Sequence, residues 1–313
     1  MDTIVSIENL VKRYGDVLAL DHLNLKIQKG EIFGLLGPNG SGKTTAMHCL
    51  MALLRYDKGQ IRVFGEEMRP DQYENKRRIG VVLQNVAVFE VFTVEENIDY
   101  FCGLYVAEKK ARQQMVEEAI AFAGLGNYRK KRAGQLSGGL LRRLNLACGM
   151  AHRPELLILD EPTVAVDPQS RNHILEGIRE LNRKGTTVIY TSHYMEEIER
   201  LCTRIAILDH GRCIAKGTVE ELKRMIKAGE TVVLEAILLT EEQLGRIRRL
   251  PDVLQVQYQE QVLRVRFSKA GCHLLPLLGY LQKEQVVFGQ VFSERPTLND
   301  VFLELTGREL REQ

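Results

Sequence analysis

Apolar and polar positions alternate through Ile4, Ser6, Ile7, Glu8 and Leu10, which predicts a half-buried strand over 3–11. A second strand is expected at Leu23–Ile27. The run Glu31-Ile32-Phe33-Gly34-Leu35-Leu36-Gly37 is almost continuously apolar and ends in glycine, as in a strand buried on both faces. Residues 43–54 then place Ala46, Met47, Leu50, Leu53 and Leu54 at helical spacing. Val81–Leu83 reads as a short buried strand, and 94–124 and 138–151 are rich in helix formers. Two further apolar runs, Leu156–Leu159 and Thr187–Thr191, flank a helical pattern over 169–183 that carries Ile174, Leu175, Ile178 and Leu181. Strands alternating with helices predict an α/β domain with a mainly parallel sheet. Ile205–Leu208 and Cys213–Lys216 read as a terminal hairpin around His210-Gly211.

The pattern changes near Met225–Gly229. Strands at 231–236, 252–258, 261–267 and 285–293, with helices at 241–249 and 270–283, give the order β-α-β-β-α-β of a small ferredoxin-like α+β domain. A last helix is expected over Leu298–Leu305. The domains are therefore placed at 1–226 and 229–313.

Composition narrows the function classes. The chain has 313 residues, 44% hydrophobic and 27% charged, enough to bury a sizeable core. Its 43 basic and 41 acidic residues leave a net charge of +2, no argument for nucleic acid as a partner. Cys49, Cys102, Cys148, Cys202, Cys213 and Cys272 form no C-x-x-C pair, which suits reduced thiols in a cytosolic setting. No apolar stretch reaches spanning length and the start lacks a signal-peptide pattern, so work at a membrane is expected to go through a partner.

Gly37-Pro38-Asn39-Gly40-Ser41-Gly42-Lys43-Thr44 fits G-x-x-x-x-G-K-[ST] between a buried strand and a helix. Glycines let successive N–H groups turn around phosphate oxygens, and the helix N-terminus adds its positive dipole end. Lys43 can reach the outer phosphates, and the Thr44 hydroxyl can bind Mg²⁺, with Thr45 beside it. Leu156–Leu159 leads into Asp160-Glu161-Pro162, two carboxylates at a strand end on the edge where the loop lies. Asp160 suits contact with Mg²⁺, and Glu161 suits activation of a water for attack on the γ-phosphate.

Leu136-Ser137-Gly138-Gly139-Leu140 opens the helical stretch before that strand and makes a second anion nest. With these motifs in this order, residues 4–220 resemble the ATP-binding subunits of ABC transporters. The resemblance implies that Tyr14 stacks on adenine and that Gln84 senses Mg²⁺ and the attacking water. It implies that Asp167, in Ala165-Val166-Asp167, meets a second protomer, and that His193 contacts the γ-phosphate. Two such ATPases pair head to tail, each ATP lying between one P-loop and the other protomer's Ser137-Gly138-Gly139. The partner is a second copy or a close homologue. The sequence departs from the family at Leu140, where a polar residue is usual, and at Ala165, where glycine is usual.

Val166–Arg171, Tyr190–Glu197 and Pro296–Leu303 further resemble the type-2 exporter group, the drug-resistance ATPases in particular. That likeness implies polytopic membrane permease subunits, a place on the cytoplasmic face of the membrane, and a receiving surface for them along Asn85–Asn97. The alternatives are an importer ATPase and an ABC ATPase acting on ribosomes or DNA. Ribosome-acting members carry two ATPase domains and DNA-acting ones a long coiled coil; neither pattern is present.

Overall fold

The computed structural model describes residues 2–226, 229–268 and 273–307. Two compact units divide between Val219 and Glu220. Helix Val219–Met225 thus groups almost entirely with the second unit, although the change of sequence pattern places the boundary a few residues later.

The first unit opens with the hairpin β1 (Thr3–Tyr14) and β2 (Val17–Gln28), both longer than the alternation predicts. β3 (Ile32–Leu36) is buried at every position, and α1 (Lys43–Leu50) follows the loop after it. Next come β4 (Lys58–Val63), the two-residue β5 (Glu66–Glu67), α2 (Tyr73–Arg77) and β6 (Ile79–Val82). The pattern does not mark β4, because it alternates weakly and gains its place by pairing with β1 and β5. The helix-rich stretch 94–124 is two helices, α3 (Val94–Gly103) and α4 (Lys109–Phe122), each opened by its own cap, Thr93 and Glu108. α5 (Gly138–Met150), β7 (Leu156–Asp160), α6 (Pro168–Arg183), β8 (Thr187–Ser192), α7 (Met195–Leu201), β9 (Arg204–Asp209) and β10 (Arg212–Gly217) complete it. The sheet runs β10-β9-β3-β8-β7-β6, parallel throughout except for the β9–β10 hairpin. A second, antiparallel sheet runs β2-β1-β4-β5. α1 and apolar side chains of both sheets share one core, while α3, α4 and α5 form another around Ile98, Ile120 and Leu144.

The second unit holds α8 (Val219–Met225), β11 (Thr231–Ile237), α9 (Glu241–Ile247), β12 (Val253–Gln259), β13 (Val262–Phe267), α10 (Leu274–Lys283), β14 (Val287–Glu294) and α11 (Leu298–Thr306). Its antiparallel sheet, ordered β12-β13-β11-β14, is the ferredoxin-like arrangement expected from the β-α-β-β-α-β order. Residues 270–272, expected to begin a helix, and Cys272 lie outside the described residues.

Candidate functional site

Strand β3 delivers the glycine-rich loop to the carboxyl edge of the parallel sheet, and α1 begins at Lys43. Gly42 adopts φ +103°, and a Cβ there would lie 2.7 Å from the Ala19 carbonyl. Only glycine fits this left-handed, crowded position. The loop is also held by Gly211, whose N–H donates to the Ser41 carbonyl, while Asp21 on β2 donates to the Gly211 carbonyl. That ties the β1–β2 hairpin to the loop. Tyr14 stands at the end of β1, 49% exposed, with the Lys12 ammonium 5.3 Å from its ring centre. Its aromatic face is open to a stacking partner.

Lys43 is 5% exposed. Its ammonium donates to the carbonyls of Gly37 (2.8 Å) and Pro38 (3.2 Å) and lies 3.4 Å from Glu161 Oε1. Burial pushes its pKa down, and the carboxylate of Glu161 opposes that shift. The Ser41 hydroxyl, 2% exposed, has no hydrogen-bond partner in the chain. A buried hydroxyl left so is costly unless a ligand completes it. Pro38 is half-buried, while Asn39 and Gly40 are exposed on the loop's outer side; Thr45 is half-buried on α1.

Strand β7 ends at Asp160, level with Thr191 on β8 in parallel register. Thr44 donates to Asp160 Oδ2 at 2.9 Å, and Thr191 donates to Oδ1 at 2.5 Å. The Thr191 hydroxyl also accepts the Glu161 N–H at 3.0 Å. This threonine, which the sequence marks only as part of an apolar run, orients both acidic residues. Its importance arises from strand register, which a one-chain pattern does not display. Glu161 itself takes φ +48°, a strained left-handed conformation for a side-chain-bearing residue. There its Oε2 lies 3.3 Å from His193 Nδ1 and accepts from Gln84 Nε2 at 3.5 Å. The ends of β3, β6, β7 and β8 therefore bring Lys43, Thr44, Gln84, Asp160, Glu161 and His193 together.

Ser137, Gly138 and Gly139 make no bond to that cluster. Ser137 caps α5 by accepting the Leu140 N–H, and both Ser137 and Gly138 are exposed. Gly139 lies against the start of α6, where a Cβ would approach Ser170 Oγ to 2.5 Å and Asp167 Oδ2 to 2.6 Å. Asp167 caps α6 by accepting the Ser170 N–H at 2.9 Å, and the Ser170 hydrogen bonds hold its carboxyl below its usual pKa. Ala165 takes φ +57°, so the position adopts the glycine-like backbone conformation despite its side chain. Leu140 is half-buried and packs on the helical core. Along Asn85–Asn97, Phe89 and Val91 are exposed. Asn97, expected on this surface, is instead fully buried and bonds the backbone of Phe89, Phe92 and Thr93. It shapes the loop from beneath.

A P-loop, paired strand-end carboxylates and a Ser-Gly-Gly helix start with Ser137 and Gly138 exposed define a nucleotide-hydrolysing cassette. The sequence pattern of the ABC transporter family matches residues 20–164. The linearmycin resistance ATP-binding protein LnrL of Bacillus subtilis is 38% identical over 97% of this chain and 99% of its own length. The daunorubicin resistance ATP-binding protein DrrA3 of Streptomyces coeruleorubidus is 36% identical over 99% and 98%. The ATP-binding cassette MJ0796, solved as a dimer in a post-hydrolysis state with ADP and Pi, superposes with a TM-score of 0.63 at 25% identity over 68% of this chain and 98% of its own. The chain belongs to the ABC transporter family. It is an ATP-binding, ATP-hydrolysing subunit of the exporter type, similar to the resistance ATPases along its whole length.

Proposed function

We propose that this ATPase drives export of a substrate through separate polytopic membrane subunits, on whose cytoplasmic face it sits, and that it works as a head-to-tail pair. The full-length likeness to resistance ATP-binding proteins supports export. No described helix is long and apolar enough to cross a membrane. The exposed aromatic cluster of Phe89 and Tyr100, centroids 4.9 Å apart, with Val91 beside it, supports docking of those partners after Gln84.

The observation that carries the mechanism is the split site. Lys43, Asp160, Glu161, Gln84 and His193 converge, while the exposed Ser137-Gly138 nest stands apart and needs a second protomer to meet a nucleotide. Tyr14 stacks on adenine. Gly37, Pro38, Asn39, Gly40, Ser41, Gly42 and Thr45 line the phosphates with backbone N–H and hydroxyl groups. Lys43 leaves Glu161 for the incoming phosphates. Thr44, Asp160 and Gln84 offer the hard oxygen donors that Mg²⁺ takes, and no group of three or more His, Cys, Asp or Glu side chains is placed to hold a metal ion among the described residues. That fits an ion held mostly by phosphate and water. Bound there, Mg²⁺ would neutralise developing charge on the phosphates. Glu161 accepts a proton from the attacking water, and His193 steadies the γ-phosphate. The partner's Ser137, Gly138, Gly139 and Asp167 close the site.

A pull-down tests the assignment. Tagged Glu161→Gln chain, incubated with detergent-solubilised membranes, ATP and Mg²⁺, should retain a polytopic membrane protein. Recovery of ribosomes or DNA-bound proteins with no membrane partner overturns it.

A further inference from the structure

Behind the reacting groups lies a buried carboxylate that the mechanism above does not use. Glu197, on α7, is 3% exposed. Its Oε2 accepts from Tyr190 (2.7 Å), Thr163 (2.8 Å) and Ser192 (3.2 Å). Its Oε1 lies 3.3 Å from Arg171 Nε without an aligned hydrogen bond. Removing a carboxylate from water is costly, and a carboxylate kept there holds strongly whatever donors it has. Two of those donors matter by position. Thr163 follows Glu161 by two residues across Pro162, and Ser192 immediately precedes His193. Ser192 Oγ also accepts the Tyr194 N–H at 2.9 Å, so it fixes the turn on both sides of His193.

We infer that Glu197 is a positioning residue for hydrolysis, tying the turn after Glu161 to the strand end before His193. It thereby sets the 3.3 Å spacing of those two side chains. The Arg171 arm extends the tie to α6, whose start carries Asp167 and touches Gly139. Movement of the partner-facing segment is thus felt at His193 through one carboxylate. The inference rests on the roles proposed for Glu161 and His193.

Steady-state ATPase of the full-length chain tests it, with KM and kcat measured separately. Glu197→Ala should lower kcat about 100-fold, as a misplacement of roughly 1 Å does. KM for ATP should stay within about threefold, because the phosphate loop is untouched. Glu197→Gln should recover most of the turnover, since its amide oxygen can accept from the same hydroxyls. A packing defect alone would lower Tm and the nucleotide-binding fraction while leaving kcat per bound nucleotide unchanged, and that result overturns the inference. Should Glu197→Ala not fold, Thr163→Val decides. It keeps the shape and removes one donor, so a reduced kcat supports the tie and an unchanged one refutes it. Wild-type turnover in Glu161→Gln or His193→Ala would instead overturn the roles on which the inference rests.

Discussion

Glu161→Gln is expected to do two separable things. The Glu161 carboxylate sits 3.4 Å from the Lys43 ammonium, with both side chains under a tenth exposed. At an effective dielectric of about 20, the gross attraction at that distance is about 5 kcal/mol. Most of it is offset by desolvation of the two charges, leaving a net competition of roughly 1–2 kcal/mol against phosphate binding. An isosteric amide removes the competing charge and keeps the P-loop donors. Nucleotide affinity should therefore rise about tenfold, the equivalent of about 1.4 kcal/mol. Turnover should fall by about 10²–10⁴-fold, the share supplied by a positioned general base. Titration calorimetry with ADP, at concentrations where light scattering shows a monomer, isolates the first effect from trapping of an ATP-bound dimer. Steady-state ATPase reads the second. Unchanged or weaker ADP binding refutes the Lys43 competition, and retained turnover refutes Glu161 as the base.

Lys43→Ala should abolish both ADP binding in the same calorimeter and turnover, because it leaves Glu161 buried without its cation and removes the phosphate contact. Ser137→Ala should leave monomer nucleotide binding intact while lowering turnover, since the nest acts on the partner's ATP; lost monomer binding would contradict that. Gly139→Ala should likewise spare ADP binding but reduce ATPase, because its methyl group must displace Ser170 or Asp167. His152, stacked on Tyr105 at 3.9 Å, is pushed by burial from its ordinary 6.5 down to about 4. It is neutral in the fold, and the unfolded chain binds its proton first. Its contribution is full above the ordinary value and is lost as pH falls toward about 4, about 3 kcal/mol for a fall of that size. Urea denaturation across that window should show a shallower pH slope for His152→Phe; an unaltered slope refutes the assignment.

Much of the fold is legible in the chain because the central strands of its parallel sheet are almost wholly apolar. β3 and β7 are buried at every residue, so their hydrophobic runs are unambiguous. β4 and α2 are short and polar, and their order comes from neighbours rather than from their own pattern. The stretch 94–124, rich in helix formers, is divided where Glu108 caps a second helix, a break that composition alone hides.

The local chemistry is written in short stretches of the chain. Gly42 and Lys43 belong to one turn of chain, so their spacing alone dictates a phosphate cradle. Asp160 and Glu161 are adjacent, and the apolar run before them puts them at a strand end. Which distant groups face one another is set by the packing of the whole domain. Thr191 bridges Asp160 and Glu161 because parallel register sets β8 level with β7. Glu197 gathers Thr163, Tyr190 and Ser192 because α7 packs back over that sheet. Asn97 turns inward with Val94 and Ile98, although it is polar, because four backbone groups of its loop find their partner in its amide. Such contacts depend on strand order and helix placement, which are global properties of the packed core, whereas a motif depends on a few consecutive dihedral angles.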